Sequence, residues 1–264
     1  TIFNILNHIH KETKCDSLVI SGGVALNSVC NGKILKNTGF KNIWAQPDPG
    51  DGGTSAGVAS YIYNTILGKK RNYILNNAYL GPSFSEENIR EFLKENNISY
   101  SEFTNKEELI KKTASLIYQN KVIGWFQEGM EWGPRGLGAR SILSNACNPE
   151  MKEILNTKVK HREKFRPFAP VVCYDDAQKY FECDKPLTAP TDFMLMVYPI
   201  KKKWRKKIPA VAHVDGSGRL QTIKKDQNPL YYGVIKEFGK LSGIPILINT
   251  SFNIRGEPIV CTPK

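Results

Sequence analysis

Apolar residues fall at Ile2, Ile5, Leu6 and Ile9 within Thr1 to Lys14. That spacing predicts an amphipathic helix. The period then changes: Ser17 to Ser21 is a short apolar run that reads as a buried strand and leads into the paired glycines Gly22 and Gly23. Asn42 to Gln46 reads as a second strand. It opens into a second glycine-rich turn, Pro47 to Gly57, followed by a helix to about Leu67. From Gly68 to Ser85 no period is sustained, and Gly81-Pro82 breaks the chain direction. A boundary is therefore placed here, giving one unit over residues 1–80 and a second over 81–264. In the second unit, helical spacing recurs over 86–95, 107–119, 149–155 and 231–242. Strand-like runs occur at Val122 to Phe126, Val171 to Cys173, Phe193 to Val197 and Ile244 to Ile248. Helical and strand periods interleaved in this way predict an α/β fold, mixed in its second unit.

Composition narrows the class. Hydrophobic residues make up 41% of the 264 positions and charged residues 23%, an ordinary globular balance. No apolar run reaches the roughly 18 residues of a membrane helix, and no signal-peptide pattern is present. The chain starts at Thr1 and stops at Lys264, so it reads as a piece of something longer. Cys15, Cys30, Cys147, Cys173, Cys183 and Cys261 are scattered with no CxxC pair, which argues against a zinc cluster or redox motif. A disulfide framework is not expected either, and a reduced, cytoplasmic setting is the simple expectation. The net charge of +12 invites a nucleic-acid reading, but Lys201 to Lys207 alone holds six cations. Such a run reads more readily as a solvated loop.

Four segments carry candidate chemistry. Arg135 and Arg140 sit among glycines in an irregular stretch, Gly124 to Leu143. Glycine allows close backbone approach to a ligand, and arginine offers a planar fork to phosphate or carboxylate. Asn156 to Pro167 is dense in cations. On an extended strand Lys158, Lys160 and Arg162 would share one side and repel each other unless an anion lay between them; a solvated edge strand is the alternative. In His213 to Gln221, glycines flank Ser217 and Arg219 alternates with Gln221, a pattern an exposed hairpin would also give. Finally, a buried strand ends in Asn249, Thr250, Ser251 and Asn253. Ligand sites in α/β folds lie at such strand ends, although an Asx or Ser/Thr turn has the same composition. Taken together, the set predicts a site for a polyphosphate such as ATP with a second anion, as adenylation requires.

These runs bear a family resemblance. Ser21 to Asn27, Gly50 to Gly53, Met130 to Leu143, Arg162 to Pro170, His213 to Gln221, Asn249 to Asn253 and Gly256 to Pro258 follow the order and pattern of the NodU/CmcH-type O-carbamoyltransferases. The resemblance spans almost the whole chain. It implies the C-terminal half of an actin-like ATPase (ASKHA) domain over 1–80, then a YrdC-like carbamoyl-adenylate-forming domain over 81–264. It implies that carbamoyl phosphate and ATP give carbamoyl-adenylate, and that the carbamoyl group then passes to a hydroxyl of a saccharide or natural-product acceptor. Lys160, Arg162, Ser251 and Asn253 match the family's YrdC-like site. The cations Arg135, Arg140, Lys160, Arg162, Arg166 and Arg219 are assigned to carbamoyl phosphate and the ATP phosphates, with Lys160, Arg162, Arg140 and Arg135 as catalytic candidates. Asn249 joins Ser251 and Asn253 as a substrate-binding candidate. Gly22, Gly23 and Asn27 match a nucleotide-binding turn. Asp51 matches a carboxylate that helps hold iron in the complete actin-like domain, and Mg2+ is expected with ATP.

The chain departs from the family pattern in one respect. The family's metal-binding histidines and first phosphate-binding hairpin would precede Thr1, and His8 and His10 belong to the opening helix instead. Two other readings are kept: a tRNA threonylcarbamoylation-type enzyme using threonine and bicarbonate, and a non-catalytic basic nucleic-acid-binding module. Neither a membrane nor a nucleic-acid partner is expected.

Overall fold

The amphipathic face at the start of the chain forms helix α1 (Ile2–Thr13), ended by Lys14 in the left-handed conformation. The computed structural model describes all residues, Thr1–Lys264. Strand β1 (Ser17–Val19) pairs in parallel with β2 (Asn42–Trp44), and these two strands make a separate small sheet. The run expected as a buried strand is largely open: with no neighbour beyond β2, Ser17 and Val19 are exposed. Between the strands lie the single-turn helices α2 (Ser28–Asn31) and α3 (Ile34–Asn37). Helix α4 (Thr54–Tyr61) follows the second glycine-rich turn and widens into a π-helical turn over Ile62–Ile66.

The second unit opens with α5 (Glu86–Glu95), started by a reciprocal capping box between Ser85 and Asn88. Next come α6 (Lys106–Tyr118), β3 (Ile123–Phe126) and β4 (Arg140–Asn145). After the single-turn helix α7 (Met151–Ile154) lie β5 (Ala169–Cys173), the short α8 (Ala177–Tyr180), β6 (Met196–Pro199), the short α9 (Lys202–Arg205) and β7 (Ser217–Ile223). Helix α10 (Pro229–Ser242) and strand β8 (Ile246–Ser251) complete the unit. One six-stranded sheet runs β3-β4-β8-β5-β7-β6. Only β5 and β7 are parallel, so the sheet is mixed.

Alternation along the strands sorts the core into two faces. Leu143, Val171, Cys173 and Leu247 pack with Ala114 and Ile117 of α6 and with Tyr231, Val234, Ile235 and Phe238 of α10. The two helices approach so closely that a methyl at Gly233 would sit 2.5 Å from Ile110. Ile142, Val172, Ile246 and Ile248 face the other way, into a cluster with Met151, Leu155, Tyr180 and Phe181. Leu6, Ile34, Phe40 and Ile43 of the first unit belong to that same cluster. Asn31 crosses the junction, donating to Ala25 O and to Leu195 O.

Four local expectations are corrected. The irregular arginine stretch ends in a fully buried strand, β4, that the glycines on its N-terminal side masked. Residues 213–221 enter a strand paired on both edges, so they do not form an exposed hairpin. Phe193–Leu195 precede β6, with Met194 in the left-handed conformation at φ 58. Lys158 lies in a π-helical turn, Leu155–Val159, with Lys160 at its end, so these cations do not alternate along a strand.

Candidate active site

At the end of the sheet where β8 finishes and β5 and β7 begin, the chain leaves a branched cavity. Its three lobes measure about 110, 190 and 330 Å3. Arg162 lines all three. Arg135 and Arg219 line the first and third lobes, Arg166 the second and third, and Ser251 the first and second. Asn249 lines the first lobe, and Lys160 and Asn253 line the second. They come from four pieces of local structure: Arg219 from β7, Asn249 and Ser251 from β8, Arg135 from the glycine loop, and Arg162 from the turn after Leu155–Val159.

That turn is held by Asn156, a buried residue without a sequence signal. Its Nδ2 donates to Lys164 O and Arg166 O, at 3.1 and 2.9 Å, folding the basic segment back on itself. Its Oδ1 accepts from Arg162 Nε at 2.7 Å, while the Arg162 guanidinium lies 4.9 Å over the Phe168 ring. Nothing in the residue pattern singles Asn156 out, because the two carbonyls and the guanidinium it meets are brought to it by the tertiary turn.

Three of the cavity cations lack counterions. Arg166 pairs with Glu163 at 2.8 Å, but Arg135, Arg162 and Arg219 make no ion pair. Arg135 Nε is buried with no partner. Burial, with Arg135 and Arg162 nearby, pushes the Arg219 guanidinium down to about 10. Burial lowers Arg135 too, and burial followed by Arg166 lowers Arg162. Desolvated like charges raise the free energy of the empty site, and a bound anion relieves it.

Lys160 has a different role from its neighbours. It is 5% exposed. Its ammonium donates to Ser251 O at 2.6 Å, Asn253 O at 2.8 Å and Asn253 Oδ1 at 2.9 Å. An ammonium has three protons, so these contacts occupy them. Lys160 therefore clips the basic turn to the end of β8. Burial, then Arg162, pushes it down to about 8. Ser251 Oγ in turn donates to Asn253 Oδ1 at 2.6 Å.

Arg140, by contrast, is not brought to the cavity. It is fully buried. Its Nη1 donates to Gln127 O and Ala139 O at 2.7 and 3.1 Å, its Nη2 to Pro82 O at 3.1 Å, and its guanidinium stacks 3.6 Å over Phe126. Arg140 fastens the base of the loop, whereas Arg135 on the same loop lines the cavity. Glu131, also missed in the sequence, fixes the same loop: its Oε1 accepts from the N–H groups of Leu137, Ala139 and Arg140 at 2.6, 2.7 and 3.1 Å. Gly136 lies so close to β4 and β8 that a Cβ would meet Arg140 O at 2.5 Å and Ser251 Cα at 2.8 Å.

His213 lines the third lobe. Ser217 Oγ donates to Asp215 Oδ1 at 2.6 Å and lies 3.1 Å from His213 Nδ1. Since the hydroxyl proton is committed to the carboxylate, Nδ1 is the donor to Ser217. Burial, and secondarily Arg219, keep the imidazole below its ordinary range. Ser28 and Val29 of α2 close this lobe from the first unit. Asn27 caps α2, its side chain accepting from Cys30 N at 3.0 Å. Gly22 and Gly23 are exposed, and Gly22 N–H donates to Pro49 O at 2.7 Å. None of Gly22, Gly23 and Asn27 lines the cavity. Asp51 is exposed, and no set of three His, Cys, Asp or Glu residues lies close enough to hold a metal. Within Lys201 to Lys207, Lys203 and Lys207 lie over the Trp204 ring, which packs 4.7 Å from Tyr180, and the run does not line the cavity.

With this geometry in place, the comparisons with known proteins are specific. Residues 114–264 match the family model described as carbamoyltransferase C-terminus, and residues 1–60 the one described as carbamoyltransferase N-terminus. An uncharacterised protein of Synechocystis is 38% identical over 100% of this chain and 46% of its own length. Nodulation protein NolNO of Sinorhizobium fredii is 38% identical over 98% of this chain and 38% of its own length. The chain thus spans less than half of either relative. Among solved structures, full-length HypF in its phosphate- and nucleotide-bound form aligns at a TM-score of 0.38 and 17% identity, over 61% of this chain and 19% of that one, a likeness too distant to inform the site.

Proposed function

This chain belongs to the carbamoyltransferase family, and from that premise we propose that its cavity activates a carbamoyl group for transfer to a hydroxyl. The observation that carries the reading is the trio Arg135, Arg162 and Arg219, partly desolvated and without a carboxylate partner. Three fixed forks suit a ligand with several anionic groups, as carbamoyl phosphate and ATP together provide.

The chemistry needs such a site. Nitrogen donation makes a carbamate a poor electrophile, and oxide is a poor leaving group. Loss of the phosphoryl group of carbamoyl phosphate to water leaves a carbamate oxygen free to attack the α-phosphorus of ATP and expel pyrophosphate. The product, carbamoyl-adenylate, carries a better leaving group, AMP, for attack by the hydroxyl of a saccharide or natural-product acceptor. Charge that builds on the phosphoryl oxygens is met by guanidinium groups already in place. Lys160 keeps the turn bearing Arg162 against β8. Ser28 and Val29 lie across the third lobe, which supports transfer under cover of the first unit, where a mixed anhydride is shielded from water.

In this reading residues 1–80 are the C-terminal half of an actin-like ATPase domain and 81–264 a YrdC-like domain. Magnesium would accompany the ATP phosphates, whose charge it neutralises. The residues around Asp51 do not fit an iron site by themselves, with no cluster of three His, Cys, Asp or Glu there.

The test is carbamoyl-phosphate-dependent exchange of labelled pyrophosphate into ATP. Arg162→Ala and Arg219→Ala are expected to abolish it. Undiminished exchange in both variants rejects the site. Exchange supported by threonine and bicarbonate in place of carbamoyl phosphate would transfer the reading to a threonylcarbamoyl-type enzyme.

A further inference from the structure

The cavity is rich in donors. Guanidinium and ammonium groups donate only. They can hold phosphate, but they cannot recognise the amino group that distinguishes a carbamoyl from an acyl group. Asn249 supplies what the arginines lack. It is 1% exposed, lines the first lobe beside Arg135, Arg162 and Arg219, and its Oδ1 has no partner.

The orientation of that amide is set by its neighbours. Strand register brings β8, β5 and β7 together with Leu247 opposite Val171 and Val171 opposite Gln221. Gln221 and Asn249 therefore share a sheet face. Gln221 Nε2 donates to Leu137 O at 2.7 Å, which leaves its Oε1 to accept from Asn249 Nδ2 at 2.5 Å. The other Nδ2 proton goes to Gly136 O at 3.0 Å. Flipping the Asn249 amide would set its oxygen against two acceptors, so the network admits one orientation. Both donors are then satisfied inside the protein, while a buried acceptor is left without a partner. An unpaired buried acceptor is costly, and a donor arriving with the ligand removes that cost.

Resting on the carbamoyl-activating reading of the site, we propose that Asn249 Oδ1 accepts a hydrogen bond from the carbamoyl –NH2 and so selects carbamoyl phosphate over acyl phosphates that lack an N–H. Gln221 is the positioning residue that holds the amide in this sense.

Calorimetric titration of the 264-residue protein with carbamoyl phosphate, acetyl phosphate and inorganic phosphate tests this. Acetyl phosphate replaces the amino group with a methyl of similar size. The wild type is expected to prefer carbamoyl over acetyl phosphate by about tenfold or more, the scale of one buried hydrogen bond. In Asn249→Leu the preference should fall to near unity while inorganic phosphate still binds. In Gln221→Met, where Asn249 is present but free to turn, it should fall by several fold. A wild-type preference near unity overturns the proposal, as does an undiminished preference in either variant that binds inorganic phosphate. Failure of the wild type to bind carbamoyl phosphate at all would instead remove the reading on which the proposal rests.

Discussion

Among the cations named in the sequence, Arg140 and Lys160 show that residue type does not fix role. Arg140 spends its guanidinium on backbone carbonyls and the Phe126 ring. Arg140→Met should therefore lower stability by about 3 kcal/mol, as loss of several charge-assisted hydrogen bonds costs. Urea unfolding would show this, and sulfate affinity in the folded variant should stay within a few fold of wild type. Arg219→Met should do the reverse. Lys160 is protonated below about 8 and loses its charge as pH rises through that value. Its folded value lies below that of the unfolded chain, so its burial penalty is full below about 8 and is relieved as pH rises from there towards 10.5. Sulfate keeps its charge over this range. Its affinity, followed by titration calorimetry, should fall as pH passes about 8, and Lys160→Arg should flatten the fall.

At the scale of elements, the site depends on strand ends and on the loop laid across them. Gly138 shows how tightly that loop is set: its φ is +113, and a Cβ would lie 2.4 Å from the Tyr231 ring. Gly138→Ala should destabilise the protein by about 2–4 kcal/mol through strain and overpacking. It should also weaken phosphate binding, because Arg135 stands on the same loop; thermal unfolding and phosphate titration measure the two effects. Helices α6 and α10 and strands β3, β5 and β8 were legible from period and length. Strand β4 was not, because glycine-rich sequence before it and a charged first residue hid a strand that is buried throughout. In the basic turn, alternating cations mimic strand periodicity, but their real spacing comes from a widened helical turn.

For the molecule as a whole, the two sequence units share one apolar cluster, with Leu6, Ile34, Phe40 and Ile43 packed alongside Ile142, Ile246 and Ile248. The expected consequence is a single cooperative unfolding transition in calorimetry, with calorimetric and van't Hoff enthalpies in agreement. Ile34→Ala, which empties a nearly fully buried site in the first unit, should cost about 2–5 kcal/mol and shift that whole transition. A first-unit transition that separates from the rest would show instead that the shared cluster does not couple them.

The sequence by itself determined the mixed α/β class, most helices and strands, the family, and the set of cationic and amide residues from which the cavity is drawn. These follow from local periodicity and from the order of short motifs, which a linear chain displays directly. Only the tertiary structure decided which of those residues meet. Arg162 and Arg219 converge because a turn folded by Asn156 returns to the end of a sheet whose strand order differs from chain order. Arg140, only five residues from Arg135, is withdrawn from the cavity by the start of β4. Asn249 Oδ1 is buried without a partner, and Gln221 and Gly136, by taking both amide protons, fix the orientation that leaves it so. Burial and hydrogen-bond partners are set by residues distant in sequence, and local spacing carries no record of them.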